Sequence, residues 1–129
     1  MDFTERLELY LEGGMINEAD VEDINRIIEL FRDEYGVELT EENASTFIAH
    51  LCAAYGRNMT GEEVEPLPEV VSDELKGLDS YPLSLQILDR VMAVTHNKLN
   101  KTEQDYALLH INNLISNLHQ EGIELKQVG

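Results

Sequence analysis

The chain of 129 residues is strongly acidic, with 26 Asp and Glu residues against 9 Lys and Arg residues and a formal net charge of −17. Binding to DNA or RNA rests on a basic surface, so this charge argues against nucleic acid as a direct partner. Two interpretations of the charge stay open: solubility alone, or attraction of a partner protein with a basic surface.

The sequence indicates neither a membrane protein nor an oxidising compartment. No apolar run approaches the ~20 residues of a transmembrane helix, and residues 1–5 lack the basic start of a signal peptide. We therefore expect a cytoplasmic protein. The single cysteine, Cys52, excludes an internal disulfide and a cysteine-based zinc site. It lies about 200° around a predicted helix from His50, which argues against a Cys/His pair and favours a small buried thiol.

Three helices are predicted in the first part of the chain. The first covers Phe3–Glu12 and is followed by two glycines. The second begins after Asn17, a good N-cap residue, and ends at Gly36. The third begins after Thr40, carries two glutamates in its first turn, and runs to about Arg57.

The helical pattern then breaks over residues about 58–79. Gly61, Pro66 and Pro68 lie there among several glutamates, which is typical of a connection, although residues 70–75 could form one or two helical turns. We interpret this stretch as a long acidic loop within one domain that covers residues 1–129, the size expected of a single domain.

Two further helices are predicted in the last part of the chain. One begins at Ser80 and ends at Asn100, and the other begins after Thr102 or its neighbour and runs to about Gln120. A strand is indicated only weakly, at residues 123–125. The predicted fold is all-α, a compact bundle of about five helices.

His50 lies on the third predicted helix, beside its core face. That face has helical spacing and consists of Ala44, Phe47, Ile48, Leu51 and Tyr55. His50 points about 120° away from its centre, and Arg57 lies two turns later on the same side. Ala53 and Ala54 are too small to cover the imidazole, so the pattern predicts an open histidine flanked by an arginine.

His110 has a similar position on the last predicted helix. The buried stripe there consists of Ala107, Ile111, Leu114 and Leu118. Glu103, Tyr106 and His110 share a polar flank that borders this stripe, where a helix holds a side chain in place while its tip stays in water. We expect both histidines to keep some exposure. The side chains expected to be buried are Phe47, Leu51, Ile111, Leu114 and Leu118.

These residues fit two motifs that together resemble a known family. The run from His50 to Arg57 fits H-L-x-x-A-x-x-R, and the run from Glu103 through Tyr106 and His110 fits E-x-x-Y-x-x-L-H-I. Both motifs, in this order and about sixty residues apart, resemble the PTS regulation domain, or PRD. The resemblance covers nearly the whole chain. Members often carry two copies behind an RNA-binding or DNA-binding module, whereas we expect a single stand-alone copy here.

The resemblance implies a regulatory domain rather than an enzyme, with no cofactor. In the family, the two histidines accept phosphoryl groups from the bacterial sugar phosphotransferase system, donated by HPr or by the B component of a sugar permease. This role falls on His50 and His110, with Arg57, Glu103 and Tyr106 as supporting residues. The resemblance also implies a homodimer and an output to transcriptional control, here through protein contacts or a separate transcriptional regulator.

Other interpretations of the histidines stay open. The chain could be an acidic helical domain for protein interaction or dimerisation that transfers no phosphoryl group. A histidine phosphotransfer domain typically has a lysine soon after its histidine, and residues 51–56 contain none. A metal site from His96, His110 and His119 has no supporting H-x-x-x-H pair. An enzyme is the weakest alternative, because no nucleophile and base pair, phosphate loop or metal spacing is present.

Overall fold

The computed structural model describes residues 3–126, which contain six helices and no strand. The helices are α1 (Thr4–Glu12), α2 (Glu18–Glu34), α3 (Glu41–Thr60), α4 (Glu69–Lys76), α5 (Tyr81–Val94) and α6 (Lys101–Gln120). The predicted all-α class is confirmed for these residues. The number of helices is six rather than about five.

The additional helix, α4, lies inside the stretch predicted to be an acidic connection. It begins directly after Pro68, whose fixed φ suits the start of a helix. Leu75 is its buried side chain, and the helix packs against α6. Residues 70–75 therefore form the helical turns that the sequence indicates there, with Leu75 as their buried contact.

The predicted N-cap residues Asn17 and Thr40 start α2 and α3, and each is part of a capping box. The side chain of Asn17 accepts a hydrogen bond from the Asp20 amide at 2.9 Å, and the Asp20 carboxylate accepts one from the Asn17 amide at 3.0 Å. Thr40 and Asn43 form the same reciprocal pair. Such caps contribute about 1 kcal/mol each to helix stability.

Three helix boundaries differ from the prediction. α3 continues beyond Arg57 to Thr60 and ends at Gly61, whose φ of 78° is left-handed. α5 ends at Val94 rather than at Asn100, because the chain becomes extended at Thr95. Asn100 instead caps α6, since its side chain accepts from the Glu103 amide at 2.9 Å.

The core lies between α6 and its two main partners, α3 and α5, while α2 closes the bundle against both of those partners. The five side chains predicted to be buried, Phe47, Leu51, Ile111, Leu114 and Leu118, are all at most 2% exposed. The turn between α1 and α2 packs closely on α3 at Gly56. A Cβ atom there would lie only 2.8 Å from the Met15 carbonyl oxygen, so this approach requires glycine.

The last described residues follow α6 without forming the weakly predicted strand at residues 123–125. Gly122, with a φ of 77°, turns the chain back, and the Lys126 amide donates to the Tyr35 carbonyl at 2.8 Å. None of the six helices is both long enough and apolar enough to span a lipid bilayer.

Candidate functional site

Packing of α3 against α6 brings the two motif histidines into contact. The ring centroids of His50 and His110 are 4.7 Å apart, and the ring planes are inclined by 31°. Both side chains keep part of their surface exposed, as predicted. The sequence places each histidine on a helix flank, and the structure joins the two flanks into one site.

Two ring nitrogens of this histidine pair are buried without a hydrogen-bond partner. They are Nε2 of His50 and Nδ1 of His110, and within residues 3–126 no other buried side-chain nitrogen or oxygen lacks a partner. Buried polar atoms are nearly always hydrogen-bonded, because leaving one unpaired costs about 1 to 3 kcal/mol. The concentration of both exceptions in one place marks the histidine pair as a candidate functional site.

The surroundings keep both imidazoles neutral. Burial, followed by the neighbouring His110, lowers the pKa of His50 to about 4, and Arg57 adds to this effect while Glu103 opposes it. Burial also lowers the pKa of His110. A neutral imidazole carries one lone pair available for bonding, so at neutral pH both rings are in the form that a nucleophile requires.

Arg57 and Glu103, predicted as supporting residues on different helices, bind each other. The guanidinium donates from Nε to Oε2 at 2.6 Å and from Nη2 to Oε1 at 2.9 Å. The Glu103 carboxylate is only 2% exposed, whereas the Arg57 side chain is 22% exposed. This bidentate pair joins α3 to α6 beside the imidazoles, and it raises the pKa of Arg57.

Tyr106 connects the site to the segment between α3 and α4. Its ring centroid lies 6.3 Å from that of His50, and its hydroxyl donates to the Glu65 carbonyl at 2.8 Å. All five site residues predicted from the motifs are therefore brought together at the α3–α6 contact. Their proposed chemical roles remain predictions.

A pocket of about 300 Å³ opens beside His110, between the first turns of α3 and the middle of α6. Besides His110, its polar lining includes Ser45, Asn113, Ser116 and Asn117. These are neutral side chains that can donate hydrogen bonds, and Glu42 adds a carboxylate to the lining. The pocket therefore offers a route by which a polar group could reach the histidine pair.

A second polar cluster, at Asp23 on α2, was missed by the sequence analysis. Its carboxylate is buried and accepts hydrogen bonds from the amides of His96 and Asn97 at 3.0 and 2.9 Å and from Arg26 Nη1 at 2.9 Å. His96 Nδ1 also lies 3.1 Å from it. The available signal was the spacing on α2, where Asp20 and Asp23 fall among the buried apolar side chains and are therefore expected to be buried as well.

The other residues considered from the sequence have simpler positions. His96 lies in the α5–α6 connection rather than on the helix predicted to end at Asn100, and His119 is exposed near the end of α6. In the described part of the chain, no three His, Cys, Asp or Glu side chains are grouped to hold a metal ion, so the alternative metal site is not assembled. Cys52 is fully buried, and burial raises its pKa to about 12, which confirms the predicted buried thiol.

The fold and the site define a helical domain with one paired-histidine centre. The model of the PRD domain family matches residues 25–114, a single copy that includes both histidines and most of the helical bundle. The chain belongs to this family, whose domains are regulatory.

One curated relative is similar along most of the chain. It is a protein of Escherichia coli (strain K12) described as "Uncharacterized protein YhfY", and it is 23% identical over 106 residues, which cover 82% of this chain and 88% of the relative. No solved structure matches.

Proposed function

We propose that the chain is a regulatory domain that accepts a phosphoryl group on His50 or His110 from a protein of the bacterial sugar phosphotransferase system. The observation that carries this proposal is the contact between two neutral imidazoles whose buried nitrogens have no partner. Membership of the PRD family supports it. The donor is HPr or the B component of a sugar permease, both of which the family resemblance implies.

The chemistry of the site supports acceptance without turnover. The lone pair of a neutral ring nitrogen attacks the phosphorus of the donor's phosphohistidine, a new N–P bond forms, and the donor's N–P bond breaks. The departing donor imidazole keeps the electron pair of that bond and takes up a proton. A guanidinium binds phosphoryl oxygens well, so Arg57, at the edge of the site, is the residue to hold the transferred group.

The pocket beside His110 supports entry of the donor side chain from that direction. A volume of about 300 Å³ suits a side chain rather than a folded domain, so the donor protein would dock outside and insert its phosphohistidine. The Ser and Asn side chains of the lining offer hydrogen bonds to phosphoryl oxygens, while the negative charge of Glu42, which also lines the pocket, opposes tight retention of the group.

The proposed output passes through protein contacts, because a net charge of −17 opposes binding to a phosphate backbone. Homodimerisation is part of the proposal. A groove of about 970 Å³ between the start of α5 and the end of α6 contains the exposed Leu78 and provides apolar surface for a second copy. Salt should favour such a dimer by screening two acidic chains. Sedimentation at several ionic strengths would contradict dimerisation if only the monomer were found.

The test of phosphoryl acceptance uses radiolabelled phosphoenolpyruvate with the general phosphotransferase proteins, and, in a second reaction, with the A and B components of a sugar permease added to them. The proteins compared are wild type, His50→Ala, His110→Ala, the double variant, and His119→Ala as an exposed-histidine control. We expect acid-labile label on wild type and on the His119→Ala control, and none on the double variant.

Two outcomes would contradict the proposal in different ways. If the double variant is labelled as strongly as wild type, the site assignment is wrong. If no protein is labelled by any donor, the acidic interaction domain becomes the better account of this chain.

A further inference from the structure

We infer that the two imidazoles form one site that carries a single phosphoryl group, with the unmodified ring holding a proton beside the modified one. This inference rests on the proposed function and adds to it a stoichiometry and a role for the second histidine. It differs from the simplest expectation of two motif histidines, which is two independent acceptors.

The separation of the rings excludes two modifications at once. A phosphoryl group adds three oxygens and roughly −1.5 to −2 charge near neutral pH, by analogy with other phosphorylated side chains. Two such groups on rings whose centroids are 4.7 Å apart would repel each other strongly, because the repulsion grows with the product of the charges. The part-buried setting weakens screening by salt. The first modification therefore prevents the second while α3 and α6 stay packed.

Among the groups that face the pair, the second imidazole is the one that can bring a new proton to the anion. From α3, Arg57 faces the site with Nε and Nη2 bound to Glu103 from α6, so its Nη1 remains to contact the phosphoryl group. Tyr106, also on α6, directs its hydroxyl to the Glu65 carbonyl in the segment before α4. The unpartnered ring nitrogens are the remaining groups able to accept a proton and donate it to the phosphoryl group.

The proton balance of the transfer follows from this arrangement. The attacked ring becomes an N-phosphoimidazolium, and its remaining N–H proton passes to the neighbouring imidazole. The departing donor imidazole takes its proton from solvent. The site thus ends with one phosphoryl group and one imidazolium, and one proton has been taken up from solvent in the overall transfer.

The experiment uses phosphoramidate, a small phosphoryl donor that needs no partner protein. The full chain carries His96→Gln and His119→Gln, so that the two other histidines cannot react, and His50→Gln and His110→Gln are each added to this parent. Intact-mass measurement at neutral pH counts the phosphoryl groups. We expect each triple variant to accept one group, which shows that either ring can react alone, and the parent with both rings to stop at one group even with excess reagent.

A second measurement on the singly modified parent follows the unmodified histidine by NMR titration. We expect its pKa to rise above neutral pH on modification, since a nearby anion favours the charged imidazolium. Two phosphoryl groups on the parent, a pKa that stays below neutral pH, or no modification at all would each overturn the inference. If phosphoramidate gives one group while every phosphotransferase donor fails, the proposed donor is wrong and the inference stands.

Discussion

The cluster at Asp23 and the pair of His50 and His110 both place polar groups between helices, but only the first is fully bonded. The Asp23 carboxylate accepts from two backbone amides and a guanidinium, and it fixes the connection between α5 and α6 onto α2. The histidine pair has two buried nitrogens with no partner. A satisfied network of this kind stabilises the fold, whereas the unsatisfied pair retains bonding capacity for a reactant.

The largest effect is expected from Asp23→Ala. This change leaves two backbone amides without their acceptor, at about 1 to 3 kcal/mol for each unpaired group, so the free energy of unfolding should fall by about 3 to 4 kcal/mol. Urea unfolding at pH 7 measures it. The matched control is Asp89→Asn on the exposed face of α5, which should change stability by less than about 0.5 kcal/mol. Equal effects of the two variants would contradict a structural role for Asp23.

The histidine pair should make stability depend on pH. Above pH 6.5, His50 is neutral in both the folded and the unfolded chain; between 6.5 and about 4, mainly the unfolded chain binds the proton. The free energy of unfolding should therefore fall as the pH drops through this range, by as much as roughly 3 kcal/mol from His50. Urea unfolding from pH 7 to pH 4.5 should show a smaller decrease for His50→Gln than for wild type. If the free energy of unfolding falls equally with pH in both proteins, the pKa of His50 is not lowered in the folded chain.

The ion pair beside the histidines should contribute less than the Asp23 cluster, because Arg57 is partly in water. Arg57→Ala leaves the Glu103 carboxylate buried and unpaired, and we expect a loss of about 2 kcal/mol in urea unfolding. Adding Glu103→Gln to this variant removes the buried charge and should recover part of the loss. A double variant no more stable than Arg57→Ala would contradict this explanation.

The smallest effect is expected from Tyr106→Phe, which removes one exposed hydrogen bond to the segment before α4, worth about 0.5 to 1 kcal/mol. Hydrogen exchange should become faster in residues 62–68 and stay unchanged elsewhere. Tyr10→Phe, which loses a hydrogen bond from Arg6 at a distant place, is the matched control. If both variants leave exchange in residues 62–68 unchanged, Tyr106 does not hold this segment.

Local features of the fold could be predicted from the sequence because their causes lie within one helical turn. Asn17 and Thr40 act as caps through residues three positions later, and the apolar stripes of α3 and α6 have the spacing of a buried face. The pattern after Pro68 indicated one or two helical turns at residues 70–75 but could not decide that they form a helix, since so short a helix depends on packing for its stability.

The contacts between site residues on different helices could not be predicted in the same way. The motifs select His50, His110, Arg57 and Glu103, but their sequence spacing places Arg57 beside one histidine and Glu103 beside the other. The structure pairs Arg57 with Glu103 and brings the two rings together, because α3 and α6 pack side by side. Contacts between residues so far apart in the chain depend on tertiary packing, which helical periodicity does not describe.

The rate at which the buried thiol of Cys52 is alkylated reports how often the helical bundle opens. This thiol lies two positions after His50 on α3, is fully covered, and has a pKa of about 12, so an alkylating reagent in neutral solution cannot modify it while the bundle is closed. Modification requires α3 to separate from its neighbours, and with excess reagent the rate becomes that of opening itself. Any event at the imidazoles that loosens or tightens this helix would then change the rate at which this one thiol is alkylated.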